Sequence, residues 1–343
     1  MEVFPLKALK EWFMQNRRSL PWRKEPTPYA VWVSETMLQQ TQVSVVIPYF
    51  LRWMDMFPTI EALAKAPIEQ VLKVWEGLGY YSRARRLHQA ANYLVREHEG
   101  QLPCQAELLQ RIPGIGPYTK GAILNFAFHQ KAVALDGNVL RVLSRYFGIE
   151  EPIDQRRAQK IIEYKLANLL PDQEPWLISE GLIELGALVC TKQARCQQCP
   201  LLVHCEAYRQ NIVAEIPFKV RQQKVERLYR RVAVIRCQNE YLVIRRPKGE
   251  IMADLYEFPY LENMKLNPIE AFSQHLKLSL DYQGPLSIQT HTFTKYRVTL
   301  EPHFFTTQEK SSRHTWVDLP QLMGLPFSSG HRRILIAIRE ESS

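Results

Sequence analysis

Four cysteines, Cys190, Cys196, Cys199 and Cys205, crowd one short stretch directly after a helical segment, and only Cys196 and Cys199 form a CxxC pair. A four-thiolate zinc site normally presents two such knuckles separated by a longer loop, so this crowding suits a cubane 4Fe-4S cluster better than zinc. Two disulfides would also use four thiols, but the N-terminus MEVFPLKALKEWF carries no apolar signal segment leading to an oxidising compartment. Cys104 and Cys237 stand apart and read as buried, inert thiols. Among the carboxylates, Glu35 lies inside the apolar run VWVSETML, where burial would raise its pKa and keep a transferable proton near neutral pH. One position after Ser34, it also reads as a capping glutamate or an exposed helix charge. Asp136, in ALDGNV, stands at a loop-to-helix junction beside Asn138, where both residues also read as plain caps.

The segment ELLQRIPGIGPYTKGAILNFAF places a helix up to Ile112, a tight turn over Pro113, Gly114, Ile115 and Gly116, and Pro117 at the first position of the next helix. In such a helix-hairpin-helix, Gly114 and Gly116 let backbone N–H groups approach a phosphate, and the helix N-terminus adds partial positive charge. A helical hairpin with an ordinary glycine turn has the same pattern. A formal net charge of +9 favours a polyanionic partner, and contacts of this kind position nucleic acid without reading its sequence.

These groups must be held by a chain of 343 residues, more than one core comfortably serves, so two domains are expected. No uninterrupted apolar run approaches the roughly 20 residues that cross a bilayer. Apolar residues recur at helical spacing in Leu6, Leu9, Trp12 and Phe13, in Leu108, Leu109 and Ile112, and in Leu177, Ile178, Leu182 and Leu185. Beyond the cysteines, a polar stretch from Gln210 to Leu228 reads as a linker. Short β-branched or alternating runs follow at Val232–Ile235, Tyr241–Ile244, Phe293–Leu300 and Thr315–Val317, with helices near Ile269–Leu276 and from His331 onward. The second domain is therefore α+β.

The hairpin, the following VALDGNVLRVLSR and the four-cysteine loop together resemble the helix-hairpin-helix superfamily of DNA glycosylases that includes endonuclease III. RRSLPWR, WVSETMLQQTQV and WEGLGYYSRARRL narrow the resemblance to adenine DNA glycosylases of the MutY type, continuously over residues 5–205 and more weakly beyond. It implies a two-domain α+β protein. An all-α helix-hairpin-helix glycosylase domain (residues 1–209, hairpin 113–117, iron-sulfur loop 190–205) is followed by a linker (210–228) and an α+β Nudix, MutT-like lesion-recognition domain (229–343). The implied substrate is double-stranded DNA with adenine opposite 8-oxoguanine or guanine. The implied reaction is hydrolysis of the adenine N-glycosidic bond, leaving an abasic site, by a monomeric bacterial cytoplasmic enzyme associated with the nucleoid through DNA.

On this resemblance Glu35 is the catalytic acid, and Asp136, helped by Asn138, stabilises the oxocarbenium-like sugar and can form a transient covalent bond to it. Tyr118 stands where strand-cleaving relatives carry a lysine that forms a Schiff base, which implies a monofunctional glycosylase. Lys120, two residues on, points elsewhere on the helix. Trp22, Arg23, Leu38 and Glu184 match the adenine pocket. Gln39, Gln40 and Tyr80 match residues that enter the duplex or face the damaged base, since adenine must leave the stack before an acid can reach it. Arg83, Arg85 and Arg86 form a basic face suited to phosphates or to solvent. In RRPKGEIMADLYEFP the acidic core of a Nudix hydrolase is missing, which implies a binding role. Phe293, Thr294 and Lys295 replace the Phe-Ser-His that contacts 8-oxoguanine in many members; Lys295 exchanges an imidazole for a flexible cation. The alternatives are a bifunctional endonuclease III-like lyase, opposed by Tyr118 and Glu35, and a non-enzymatic binder of DNA structure.

Overall fold

A computed structural model describes residues 4–220, 225–262, 267–293 and 295–341. The chain divides into two compact units, one of Met1–Ala64 with Gln89–Gln222, the other of Lys65–His88 with Gln223–Ser343.

The first unit is helical. Helix Leu6–Asn16 turns Leu9 inward, and Pro175–Leu188, apolar on most sides, places Ile178, Leu182 and Leu185 in the same core. Gly137–Phe147 adds Val139, Val142, Leu143 and Tyr146, and Arg156–Leu169 adds Ile162 and Leu166. Each fully buried aliphatic of this kind contributes about 1.5–3 kcal/mol of transfer free energy, which offsets the chain entropy lost in ordering short helices. Close packing also depends on Gly186: a Cβ there would lie 2.6 Å from Asn138 Cβ, so helices Gly137–Phe147 and Pro175–Leu188 approach as they do only over glycine. The hairpin joins Ala106–Arg111 to Pro117–Ala122, with Pro117 opening the second helix. Gly114 takes φ +83°, a conformation glycine adopts freely.

Among the described residues the second unit is built on a mixed sheet of eight strands: β1 (Glu226–Cys237), β2 (Glu240–Arg245), β3 (Tyr256–Glu257), β4 (Tyr260–Glu262), β5 (Asp281–Pro285), β6 (Gln289–Phe293), β7 (Tyr296–Thr306) and β8 (Thr315–Asp318). The central order is β3-β2-β1-β7-β5, with β4 on β1, β6 on β7 and β8 on β2. Strands β1 and β7 run parallel from Glu226 opposite Tyr296 to Arg236 opposite Thr306, while the other pairs are antiparallel. Alternation along β1 serves two cores, because successive side chains of a strand face opposite ways. Val232 and Val234 join Ile334, Leu335 and Ile338 of helix Ser329–Glu341, and Ala233 and Ile235 join Phe272 and Leu276 of helix Pro268–Leu276.

Several expectations change. The run Phe293–Leu300 is not one strand: β6 ends at Phe293 and β7 begins at Tyr296, and Phe293 pairs with Tyr296. The stretch expected as linker ends earlier, because Glu226, Arg227 and Leu228 already pair with β7; residues 221–224 lie outside the described residues. Cys104 is exposed, whereas Cys237 is buried as expected. Arg83 is not a surface cation: it is buried and donates to the Leu78 and Gly79 carbonyls. Residues 248–254, where a Nudix hydrolase would present its metal-binding helix, form turns. Glu257 beyond them is held by Arg246 at 3.0 Å.

Candidate active site

Helix Pro28–Leu38 begins at a Thr27 cap whose side chain accepts from Ala30 N at 3.1 Å, with Pro28 at its first position. Every residue from Tyr29 to Met37 is buried, as expected of a helix apolar on all sides, and this carries Glu35 into the interior at 7% exposure. Tyr118, one residue into the helix after the hairpin, donates to Glu35 Oε2 at 2.5 Å. Burial pushes the Glu35 carboxyl up to about 7; the Tyr118 bond opposes this, the negative charges of Asp136 and Glu180 add to it, and Arg23 opposes it. Burial, then the neighbouring Glu35, raises the Tyr118 hydroxyl well above its ordinary value, so it remains a donor.

Asp136 caps helix Gly137–Phe147, with Oδ1 accepting from Val139 N at 2.7 Å and Oδ2 from Asn138 Nδ2 at 2.8 Å. Burial raises its pKa, but these bonds and the Arg141 cation all favour the charged form. Asn138 Oδ1 in turn accepts from Arg141 Nη2 at 2.8 Å, and Arg141 donates to the Gly186 and Cys190 carbonyls at 2.7 Å each. A continuous polar chain therefore runs from the Asp136 carboxylate to the backbone of Cys190.

Glu35, Tyr118, Asp136 and Asn138 line one cleft of about 1150 Å³ together with Trp22, Arg23, Leu38, Gln39 and Gln40. Trp22 is buried edge-on against Phe50 at 5.3 Å, and Gln39 donates to Thr119 Oγ1 at 3.3 Å. Glu184 is placed differently from the expectation. Fully buried, it accepts from Arg18 Nε at 2.8 Å and from Arg23 Nη1, and it is not part of the cleft lining. Glu180, one turn earlier on the same helix, lines the cleft, and its Oε2 lies 3.1 Å from Arg23 Nε. Burial raises the Glu180 pKa and Arg23 opposes the rise. Both carboxylates project from the same side of the helix at i, i+4 spacing, so only tertiary packing distinguishes them. Arg141, absent from the expected set, has one sequence signal: it stands three residues after Asn138, on the same face.

Gly114 and Gly116 lie in the hairpin, outside this lining. Lys120 is bonded to Gln110 at 3.1 Å and is absent from the cleft. Tyr80, Phe293 and Lys295 belong to the second unit, where Tyr80 and Phe293 border a separate cavity of about 490 Å³. Phe293 stacks on His291 with centroids 5.6 Å apart, and Lys295 is exposed with Nζ 2.5 Å from Glu226 Oε1. Thr294 lies outside the described residues.

The four cysteines of the loop line one small cavity with Arg145. Arg145 is buried; its Nη1 lies 3.4 Å from Cys190 Sγ and bonds Thr191 O at 2.6 Å, while Nε bonds Ile216 O at 2.8 Å. Burial pushes the Cys199 thiol up to about 12 and raises Cys196 and Cys205, so a metal centre here must displace protons on binding. The donor set is all sulfur, shares one pocket and has a cation beside it, which fits an anionic iron-sulfur cluster.

The arrangement can donate a proton from a buried carboxylic acid and stabilise a cation with a second carboxylate held by amide donors. Residues 33–168 match the model of the HhH-GPD superfamily of base excision DNA repair proteins, and residues 231–337 match the NUDIX domain. A thermostable thymine-DNA glycosylase shares the fold at TM-score 0.55 and 24% identity, covering 60% of this chain and 95% of that one. A non-covalent endonuclease III–DNA complex does so at TM-score 0.52 and 22% identity, with 60% and 94% covered. The protein is thus a base excision repair glycosylase with a C-terminal Nudix-like domain. The adenine DNA glycosylase of Buchnera aphidicola subsp. Schizaphis graminum is 31% identical over 94% of this chain and 96% of its own, and that of Mus musculus 36% over 81% and 64%. The chain belongs to the adenine DNA glycosylase family. No helix among the described residues is long and apolar enough to cross a membrane.

Proposed function

We propose that this enzyme removes adenine opposite 8-oxoguanine, or opposite guanine, from double-stranded DNA by monofunctional hydrolysis. The observation that carries the reading is the pairing, in one cleft, of a Glu35 carboxyl raised to about 7 with an Asp136 carboxylate held by two N–H donors. Burial raises both carboxyls, but the N–H donors and the Arg141 cation favour the charged form of Asp136, which assigns Glu35 as acid and Asp136 as electrostatic stabiliser.

Glu35 gives its proton to a ring nitrogen of adenine, and the electron pair of the breaking glycosidic bond passes into the purine. The sugar left behind gains positive charge, which Asp136 stabilises, with Asn138 and Arg141 fixing its orientation. Water then adds to the sugar carbon, and its proton restores Glu35. Tyr118 supplies no amine for a Schiff base and keeps the Glu35 carboxyl aimed. Trp22 and Leu38 wall the extruded adenine, and Glu180, rather than Glu184, reads its edge. Gln39, Gln40 and Tyr80 act on the opened duplex, while Gly114 and Gly116 hold its backbone. Cys190, Cys196, Cys199 and Cys205 would hold a 4Fe-4S cluster, which would order a DNA-binding loop rather than perform redox chemistry. The junction ahead of β1 separates this chemistry from lesion recognition around Phe293, Thr294 and Lys295, and the enzyme acts as a cytoplasmic monomer.

Single-turnover assays on duplexes bearing A opposite 8-oxoguanine, A opposite G, or an oxidised pyrimidine test the reading. Adenine release should be fastest from the first and slower from the second, with strand breaks appearing only after alkali. Equal rates on the first two would remove the proposed lesion preference, and no adenine release from either would overturn the activity.

A further inference from the structure

The segment Lys65–His88 belongs to the second compact unit, and it contains an unusual turn ahead of helix Ser82–His98. Gly77, Gly79 and Tyr80 all have positive φ, at +98°, +76° and +49°. Tyrosine seldom holds that backbone unless its surroundings impose it. Its ring is nonetheless 43% exposed, so burial of the side chain does not fix it.

The surroundings converge on the backbone of Phe327. Its N–H donates to Glu76 Oε1 at 2.8 Å, and its carbonyl accepts from the Tyr81 hydroxyl at 3.1 Å. The Tyr81 oxygen also accepts from Gly77 N at 3.3 Å, so one hydroxyl ties both ends of the turn to one residue. Glu76 is held further by Arg332, with Nε at 2.8 Å and Nη2 at 2.7 Å, and by Lys73 Nζ at 2.8 Å. Arg332 and Lys73 each reach the Met323 and Leu325 carbonyls as well. Inside the turn, Trp75 Nε1 and Arg83 Nη2 both donate to Gly79 O, at 3.0 and 3.1 Å, and the Arg83 guanidinium lies 5.4 Å from the Tyr80 ring centroid. Phe327 is fully buried in the sheet core, so the clasp is anchored on a packed part of the unit.

We infer that this clasp on Phe327 sets the direction of Tyr80, making Glu76, Tyr81 and Arg332 positioning residues for the ring presented to the duplex. The C-terminal part of the chain thereby acts on DNA through a residue encoded far upstream of it, beyond any contact its own loops make. The inference rests on the reading of Tyr80 as a residue that enters the opened duplex.

The test uses the full-length protein and the variants Tyr80→Ala, Tyr81→Phe and Arg332→Ala, with each of the last two also combined with Tyr80→Ala. Two quantities are measured: single-turnover excision from A opposite 8-oxoguanine, and fluorescence of a 2-aminopurine beside the opposite base as a report of unstacking. Tyr81→Phe should lower the rate and the fluorescence change by at least about two- to tenfold, the scale of each lost hydrogen bond, and Arg332→Ala, which removes more contacts, by at least as much. Neither should have a further effect once Tyr80 is alanine, because coupled residues are non-additive. Equal losses in the presence and absence of the Tyr80 ring would make the clasp merely structural and overturn the inference alone. If Tyr80→Ala changes neither readout, the reading of Tyr80 itself falls. Should circular dichroism show Arg332→Ala unfolded, Tyr81→Phe decides, since it removes a single oxygen.

Discussion

Tyr118 donates its phenolic hydrogen to Glu35 Oε2 at 2.5 Å, and this bond opposes the burial that raises the Glu35 pKa. A hydrogen bond donated to a carboxylate favours its charged form, whereas burial at 7% exposure favours the neutral one. The balance leaves Glu35 at about 7, where it still carries a proton at neutral pH and can still release it.

The pH dependence of excision follows from that balance. The single-turnover rate should fall as pH rises through about 7, because the acid form of Glu35 is lost. Tyr118→Phe removes the bond that lowers the pKa, so the descending limb should move to higher pH, by about one unit. Rates measured from pH 5.5 to 9 on one duplex check this, and a limb that stays in place would separate Tyr118 from the ionisation.

Stability should carry the same signature. Glu35 binds its proton more tightly in the folded state than at its ordinary value of 4.5, so its contribution is fully present below that value and is lost as pH rises to about 7. Glu35→Gln cannot ionise and escapes this loss. Urea unfolding should therefore find the variant gaining on the wild type between pH 4.5 and 7, by up to about 3 kcal/mol, with a constant difference above that range. A gain that grows toward acid would contradict the sign.

Among the described residues no lysine lines the cleft, and this predicts the chemistry of the product. Tyr118 occupies the cleft, and Lys120 is turned away onto Gln110 at 3.1 Å. Borohydride added during turnover should trap no covalent protein–DNA species, and strand scission should require heat or alkali. A borohydride-dependent band on denaturing gels would identify another nucleophilic amine.

Much of this site is legible in the residues because its parts are local. The Asp136 cap, the Pro117 helix start and the crowded cysteines each follow from short-range chemistry, and Glu35 stands out as a carboxylate in an apolar run. What escapes is decided by packing between distant elements. Glu180 and Glu184 are one turn apart on one helix, and only the position of Arg18 and Arg23 buries the second and leaves the first in the cleft. Arg83 reads as one cation of a basic face until the Gly77–Tyr80 turn folds back and gives it carbonyls to hold. The grouping of Lys65–His88 with the sheet unit is hidden for the same reason: its partners, Phe327 and Arg332, lie hundreds of residues away in sequence.

The sulfur pocket yields the last prediction. Protein purified without oxygen should be yellow-brown and contain iron and acid-labile sulfide, because four thiols share one cavity beside a buried cation. Stoichiometric zinc without sulfide would replace the cluster by a single-ion site. Arg145 makes the sharper test. Its guanidinium meets Cys190 Sγ, Thr191 O, Lys192 O and Ile216 O while only 4% exposed, so it neutralises sulfur charge and ties the start of the cysteine loop to residue 216. Arg145→Gln should leave buried carbonyls without donors and cluster sulfur without its cation, at a cost of about 2–4 kcal/mol. Iron content per chain and the visible absorbance should fall together with the urea midpoint, and Arg145→Lys should recover part of both, since one ammonium can reach fewer of the four acceptors. A variant that keeps full iron while losing stability would confine Arg145 to holding the loop and remove it from the environment of the cluster.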